Sequence, residues 1–234
     1  MVRGIPTWAH EGIRRLSVAH FLAAIAVWIV ALPFLDQLAN GEILESALFT
    51  LVLLQAVRAV GGHRRTLIIA SILVTPAMFS TWLHRFYPDL LPGEFRLTTA
   101  IVFTAFVAMH MLRFILRAPK VNEEVLCAAI ATFLLLGVLW AFGYMLAGIL
   151  SPKAFAFTVG ESRRMSGVEA VFFSFGTLTS NYGDVIPLSN AARMLAMTES
   201  TVGMFYVVVL IARLVSMYSS PEASEISATT DSQA

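Results

Sequence analysis

The sequence predicts an all-α integral membrane protein with six transmembrane helices and a re-entrant helix and loop between the fifth and the sixth. Two observations predict this class. Of the 234 residues, 58% are hydrophobic and only 13% are charged, a composition typical of proteins that cross the bilayer several times. Apolar stretches of about 20 residues, the length that crosses the hydrocarbon core, recur along the chain. The lipid bilayer is therefore the expected partner, and a net charge of +1 without a basic face gives no indication of nucleic acid binding.

Six apolar stretches are long enough to span the membrane as helices. The first follows Arg14 and Arg15, as a signal-peptide core would, but its apolar part from Leu16 to Leu35 is too long for such a core. No clear cleavage site follows it, so we expect it to be retained as the first span. The predicted spans are residues 16–38, 43–60, 66–83, 97–116, 123–149 and 192–217.

The basic residues predict the orientation of these spans. They cluster before the first span, between the second and the third, and after the fourth, and the positive-inside rule places these segments in the cytoplasm. Both termini then face the cytoplasm, although Arg163 and Arg164 lie on the outer side. The residues that carry this prediction are Arg3, Arg14, Arg15, Arg58, His63, Arg64, Arg65, Arg113, Arg117 and Lys120.

Three regions are expected along the chain. Residues 1–120 hold four spans, and residues 121–218 hold the last two spans and the long segment between them. Residues 219–234 are Ser, Thr, Ala and acidic residues without periodicity, which is typical of a disordered tail, here on the cytoplasmic side. No sizeable soluble domain is left to bind a small-molecule substrate, and no cofactor is predicted.

The segment between the last two spans contains its own short helix. Its apolar part, Val168 to Leu178, is too short to cross the bilayer, which favours a re-entrant helix. Ser166 and Glu169 have the S-x-x-E spacing of a capping box and would begin this helix. Because a helix that enters from outside directs its carbonyl end toward the membrane centre, its partial negative charge would favour a cation there.

The residues after this helix are the most informative in the chain. They read Thr177-Leu178-Thr179-Ser180-Asn181-Tyr182-Gly183-Asp184. Non-helical backbone at membrane depth is tolerated where it is buried in protein or lines a water-filled path, and carbonyl oxygens of an extended run can replace the hydration shell of a cation. Gly183 would supply one positive φ angle in such a run, and Asp184 could attract cations to an outer mouth or hold the loop by hydrogen bonds.

These residues resemble the selectivity filter of the bacterial potassium-channel-like ion channel family, and the resemblance extends from Glu123 to Tyr218. It implies an outer helix, a pore helix, a filter loop and an inner helix, assembled as a homotetramer in the bacterial inner membrane. The filter carbonyls would then bind potassium or sodium ions, and the Tyr182 ring would point away from the ion path and brace the filter. Gly203 resembles an inner-helix hinge glycine, although a lone helix glycine more often serves close packing. The residues that would line the ion path are Thr179, Ser180, Asn181, Tyr182 and Gly183.

The filter departs from the family pattern T-V-G-Y-G in one of two ways. Aligning Tyr182-Gly183-Asp184 places Asn181 on the first glycine, and asparagine tolerates the left-handed backbone better than other residues that carry a Cβ atom. In the other register, one filter residue is deleted and one ring of carbonyls is lost. The sequence therefore leaves three hypotheses open: a potassium channel, a weakly selective cation channel and a non-conducting regulatory subunit.

Ionisable residues inside the spans need a partner or water. Glu199, one helical turn before Gly203, is either a structural acid behind the filter or an attractor of cations in the cavity. His110 lies in the fourth span, where a hydrogen bond to a neighbour is the simplest role. Arg113 and Arg117 are interfacial anchors, and without a series of such charges the fourth span is not predicted to sense voltage.

Two other function classes fit the sequence poorly. The residues around Asp184 resemble the G-x-G-D motif of intramembrane aspartyl proteases, whose chemistry needs a second carboxylate. The remaining aspartates, Asp36, Asp89 and Asp231, lie in predicted loops or in the tail, so an enzyme is not predicted. A secondary transporter would show paired interrupted helices in two related halves, and only one interrupted region is visible.

Overall fold

The protein is described by a computed structural model that covers residues 7–61, 64–87, 90–119, 122–157, 165–181 and 183–218. Several sequence predictions therefore concern residues outside the described ranges. These are the bracing role of Tyr182, the tail at 219–234, and the positions of Arg3, His63, Lys120, Arg163 and Arg164.

The described residues form seven helices and two short strands. Six helices are long and apolar enough to cross a membrane, and the seventh, α6, has 12 residues. The helices are α1 (Thr7–Leu35), α2 (Gly41–Val60), α3 (Arg64–Phe86), α4 (Gly93–Arg117), α5 (Glu123–Leu150), α6 (Gly167–Leu178) and α7 (Asn190–Tyr218).

The six long helices confirm the predicted spans and the predicted fold class. The bounds differ most at α1, which begins at Thr7 and ends at Leu35 instead of covering 16–38. Hydropathy marks only the apolar part of a helix, whereas backbone hydrogen bonding continues through the polar residues that precede it. The short helix also lies where the sequence predicts it, between the fifth and sixth spans.

The helices pack through two apolar clusters. The larger cluster joins α1 to α5 and includes Phe21, Phe103 and Val107, with small side chains such as Ala128 and Ala131 at helix contacts. Small residues let helix backbones approach closely, which is how helices associate in lipid. The smaller cluster joins the end of α5 to α6 and the start of α7.

Polar bonds connect helices in both halves of the chain. In the first half, Trp82 Nε1 donates to Thr50 Oγ1 at 3.0 Å between α3 and α2. At the far end of α7, Arg213 donates from Nη2 to the carbonyl of Ala118, the residue after α4, at 2.8 Å. The end of the last helix is therefore bonded to the end of the fourth.

A two-stranded antiparallel sheet joins the segment after α5 to the segment before α7. Strand β1 (Phe155–Phe157) pairs with β2 (Val185–Pro187), with Ala156 opposite Ile186. The sequence analysis predicted no strand here, because two three-residue segments about 30 residues apart carry no detectable period. The pairing brings the residues after α5 and the residues before α7 side by side.

Candidate functional site

The start of α6 is fixed by a capping box. The backbone N–H of Glu169 donates to Ser166 Oγ at 3.2 Å, and the backbone N–H of Ser166 donates to Glu169 Oε2 at 2.8 Å. Each bond satisfies an amide that has no partner within the helix. The S-x-x-E spacing therefore predicted this helix start correctly.

The end of α6 forms a C-terminal cap of the Schellman type. The backbone N–H of Asn181 donates to the carbonyl of Gly176 at 2.7 Å, and that of Ser180 donates to the carbonyl of Thr177 at 3.0 Å. Ser180 has φ of 60°, the left-handed conformation that this cap requires after the last helical residues. Thr179 continues the turn, and its Oγ1 donates to the carbonyl of Phe175 at 2.9 Å.

In the single chain, Thr179 and Ser180 have a turn conformation that differs from the expected extended run. Thr179 and Ser180 belong to the helix cap, because the carbonyls of the last turn obtain hydrogen bonds there that an extended backbone would not provide. The left-handed residue is Ser180, where the sequence analysis had considered Asn181.

Gly183 lies close to α6. What requires glycine at this position is a close approach: a Cβ atom would lie 2.9 Å from Cε1 of Phe172 on α6. Asp184 follows it and is exposed, at the residue before β2. The loop therefore returns from α6 beside the helix's own Phe172 ring.

Glu199 on α7 is completely buried and contacts both of the other helices around the loop. Tyr144 on α5 donates its hydroxyl to Glu199 Oε2. Ser174 on α6 lies with its Oγ 2.5 Å from Glu199 Oε1 and 2.7 Å from the carbonyl of Gly137 on α5. We call Tyr144, Ser174 and Glu199 the acid cluster.

The hydrogen bonds of the acid cluster can all be satisfied when Glu199 is a neutral carboxylic acid. A serine hydroxyl carries one proton, and the carbonyl of Gly137 can only accept. If Ser174 donates to that carbonyl, its contact with Glu199 needs the proton of a carboxylic acid. All hydrogen bonds of the cluster are then satisfied, as buried polar groups require.

Aromatic packing holds the acid cluster in place. The rings of Tyr144 and Phe173 lie edge to face with centroids 4.8 Å apart, and Phe155 on β1 packs against both. Such pairs stabilise beyond their buried area by about 0.5–1.5 kcal/mol. The sheet, α5 and α6 therefore share one aromatic group, which the sequence analysis missed because its members lie far apart in the chain.

Gly203 lies where α7 crosses the end of α6. A Cβ atom at Gly203 would overlap the carbonyl oxygen of Leu178 and would lie 3.0 Å from its Cδ1 atom. One turn earlier, Ser200 Oγ lies 3.2 Å from Ser180 Oγ. The glycine therefore permits close contact between α7 and the α6 cap.

Side chains of the last helices leave large apolar surfaces uncovered in a single chain. Phe172 on α6 is 62% exposed, and much of the second half of α7 is similarly open. The exposed α7 residues include Met194, Met197, Met204, Phe205, Val208, Ile211 and Val215. Among the described residues, no group of three or more His, Cys, Asp or Glu side chains could hold a metal ion.

Comparison with known proteins identifies this part of the chain. Residues 131–220 match a family model described as "Ion channel", whereas no curated protein and no solved structure matches the chain. The matched segment contains most of α5 and all of α6, the loop and α7. The match indicates a channel and not an enzyme, and therefore a passive path for ions. Residues 131–220 of the chain are therefore similar to the ion channel family that this model describes.

Proposed function

We propose that this chain is one subunit of a homotetrameric cation channel that conducts potassium through the loop at residues 179–184. The observation that carries the proposal is the return of the chain after α6. Helix α6 is too short to cross the bilayer, and the β1–β2 pairing brings the segment before α7 back beside the segment after α5. A helix that enters the membrane region and a loop that leaves on the same side form a re-entrant pore segment.

Assembly of several copies follows from what one chain lacks. A single loop offers one set of backbone carbonyls, and replacing the hydration shell of a cation requires carbonyls from several directions. The exposed apolar side chains of α7 and the Phe172 ring supply surface for contacts between copies. Cyclic symmetry around the loop would close the ring, and four is the number that the family resemblance implies.

The same reasoning places the elements around the proposed path. Carbonyls from Thr179 to Gly183 would face the ions, and exposed Asp184 would attract cations to the outer mouth. The acid cluster would hold α6 between the outer helix α5 and the inner helix α7. The four N-terminal helices would form a separate region of residues 1–120, with both termini on the cytoplasmic side of the bacterial inner membrane.

A weakly selective cation channel is the second candidate. The α6 cap takes up Thr179 and Ser180, which shortens the run of backbone that could form successive carbonyl rings. Potassium selectivity depends on the number and field strength of those carbonyls. Fewer rings would reduce discrimination between potassium and sodium.

Flux from liposomes that contain the purified protein tests both candidates. Separate potassium and sodium gradients are compared for the wild type, for Gly183→Ala, which introduces a Cβ atom against Phe172, and for Gly143→Ala. Gly143 is the matched control, because an added Cβ atom there meets nothing within 4 Å. Potassium-selective flux that is lost only in Gly183→Ala supports the potassium channel, and equal flux of both ions supports the weakly selective channel.

Oligomer mass in detergent distinguishes the remaining outcomes. A tetramer without flux of either ion would identify a non-conducting subunit. A protein that stays monomeric by light scattering in several mild detergents would contradict the homotetramer.

A further inference from the structure

One turn of α7 makes three contacts with α6 and its cap. Two of them join side-chain oxygen atoms, 2.5 Å and 3.2 Å apart, and the third is a close approach of backbone. The pairs, in this order, are Glu199 with Ser174, Ser200 with Ser180 and Gly203 with Leu178. This turn of α7 therefore lies against the end of α6 and the start of the loop.

The residues directly after Ser174 hold the first residues of the loop. The carbonyls of residues 175–177 accept the backbone amides of residues 179–181, with N···O distances from 2.7 to 3.2 Å. Because a helix moves largely as a rigid element, a shift at Ser174 would carry these carbonyls with it. The loop amides that are bonded to them would move as well. The position of Ser174 therefore determines where the loop is attached.

Glu199 reaches Ser174 inside the chain. Its side chain is 0% exposed, so no surface of it is left for a neighbouring copy to contact. Ser174 is also buried, and its Oγ lies 2.7 Å from the carbonyl of Gly137 on α5. Buried polar groups are stable only where their hydrogen bonds are made. The contact between Glu199 and Ser174 is therefore complete before any assembly of copies.

The two carboxyl oxygens of Glu199 connect α7 to different helices. Tyr144 bonds one oxygen and lies on α5. Ser174 contacts the other oxygen and lies on α6, which continues into the loop. Removal of either hydroxyl takes one hydrogen bond from the same carboxyl group, but only the Ser174 contact leads to the loop. This difference separates support of the fold from positioning of the loop.

We infer that Glu199 is a positioning residue for the loop: acting through Ser174, it fixes the end of α6 to which residues 179–181 are bonded. The inference rests on the proposed function, in which the loop carbonyls contact the ions. Discrimination between potassium and sodium depends on the number and field strength of those carbonyls. A buried side chain that touches no ion would then help to determine the selectivity of the channel.

Hydrogen exchange of the full-length protein in detergent measures the attachment of the loop, whether or not the protein conducts. The amides of residues 179–181 exchange when their bonds to α6 open. Ser174→Ala is expected to speed exchange in a peptide that covers residues 175–181 by about 5- to 10-fold, the effect of losing one hydrogen bond. Peptides from α2 and α3 are the internal reference, because global unfolding would speed exchange there too.

Tyr144→Phe is the matched control, since it removes the other hydrogen bond of the same carboxyl group. It is expected to change exchange in residues 175–181 by less than about 2-fold. Glu199→Gln keeps groups that can make both bonds and is expected to exchange as the wild type does. Ser174→Cys keeps the test decisive if Ser174→Ala does not fold, because a thiol has nearly the same shape and only weak hydrogen bonds.

Flux from liposomes tests the consequence for ions. In a potassium-selective wild type, the ratio of potassium to sodium flux is expected to fall about 5-fold in Ser174→Ala. The ratio should stay within about 2-fold of the wild type in Tyr144→Phe and Glu199→Gln. A wild type without flux would contradict the proposed function, and the exchange measurement would still decide the positioning role of Glu199.

Two results would overturn the inference. One is exchange in residues 175–181 that stays as slow in Ser174→Ala and Ser174→Cys as in the wild type, or that Tyr144→Phe speeds equally. The other is a selective wild type whose flux ratio is unchanged in Ser174→Ala although exchange of the loop amides has become faster.

Discussion

Around Glu199, both carboxyl oxygens are hydrogen-bonded and the neighbouring hydroxyls are satisfied, whereas Trp28, His84 and Arg96 on α1, α3 and α4 each have a buried nitrogen without a partner. Both regions bury polar groups among aromatic rings at the same end of the molecule. This difference separates the roles of the two regions. The acid cluster is complete within one chain and therefore acts as a support, while the three nitrogens of the other region are buried without partners.

Loss of the Glu199 side chain is expected to have the largest effect. Glu199→Ala leaves Tyr144 and Ser174 buried without their partner and also opens a cavity, so we expect destabilisation of about 2–5 kcal/mol. Glu199→Gln should stay within about 1 kcal/mol of the wild type, because its amide can accept from Tyr144 and donate to Ser174. Unfolding in a denaturing detergent series measures both variants.

The Gln variant decides the protonation state. If Glu199→Gln were as unstable as Glu199→Ala, the cluster would require a charged carboxylate, and the proton count given above would be wrong.

An added methyl group at Gly203 is expected to cause the next largest loss of stability. Gly203→Ala forces a Cβ atom against the Leu178 carbonyl, and such overpacking costs about 1–3 kcal/mol. Gly143→Ala on α5 has open space around it, and we expect no loss of stability and a gain of up to about 1 kcal/mol from better helix propensity. Thermal unfolding of the two variants side by side measures the difference, and equal stability would show that α7 does not depend on close contact with α6.

The smallest expected effects are those of two variants that each remove one hydrogen-bond donor. Tyr144→Phe removes a donor that has a partner and is expected to cost about 1 kcal/mol. Trp28→Phe removes a donor without a partner, and it is expected to cost nothing or to stabilise by up to about 1 kcal/mol. If thermal unfolding shows that Tyr144→Phe destabilises the protein and Trp28→Phe does not, the two regions differ as described. A similar loss in both variants would mean that Trp28 has a partner after all.

The sequence was sufficient where one segment determines its own structure. Apolar length alone predicts the six spans, and the spacing of Ser166 and Glu169 predicts the start of α6. The sequence was insufficient where distant segments meet. The contact between Ser174 and Glu199 joins residues 25 apart, and that between Tyr144 and Glu199 joins residues 55 apart.

In the loop after α6, the sequence did not predict the backbone conformation. Its residues resemble a filter, which led to the expectation of an extended run, but the open carbonyls at the end of α6 accept the amides of Ser180 and Asn181. A helix end competes for the same backbone groups as the loop that follows it. That competition depends on local hydrogen bonding, and residue identity at Ser180 gives no warning of a positive φ angle.

Helix α7 is held on both sides of Gly203. Beyond the glycine, Tyr206 donates to the carbonyl of Ala129 on α5 at 2.6 Å, and Arg213 donates to the carbonyl of Ala118 at the end of α4 at 2.8 Å. A swing of this half of the helix about Gly203 would have to break both bonds or carry the ends of α4 and α5 with it. A movement of this half of α7 would therefore also move the N-terminal helices or break these bonds. A displacement of α4 would in turn be transmitted to the far end of α7 through the guanidinium group of Arg213.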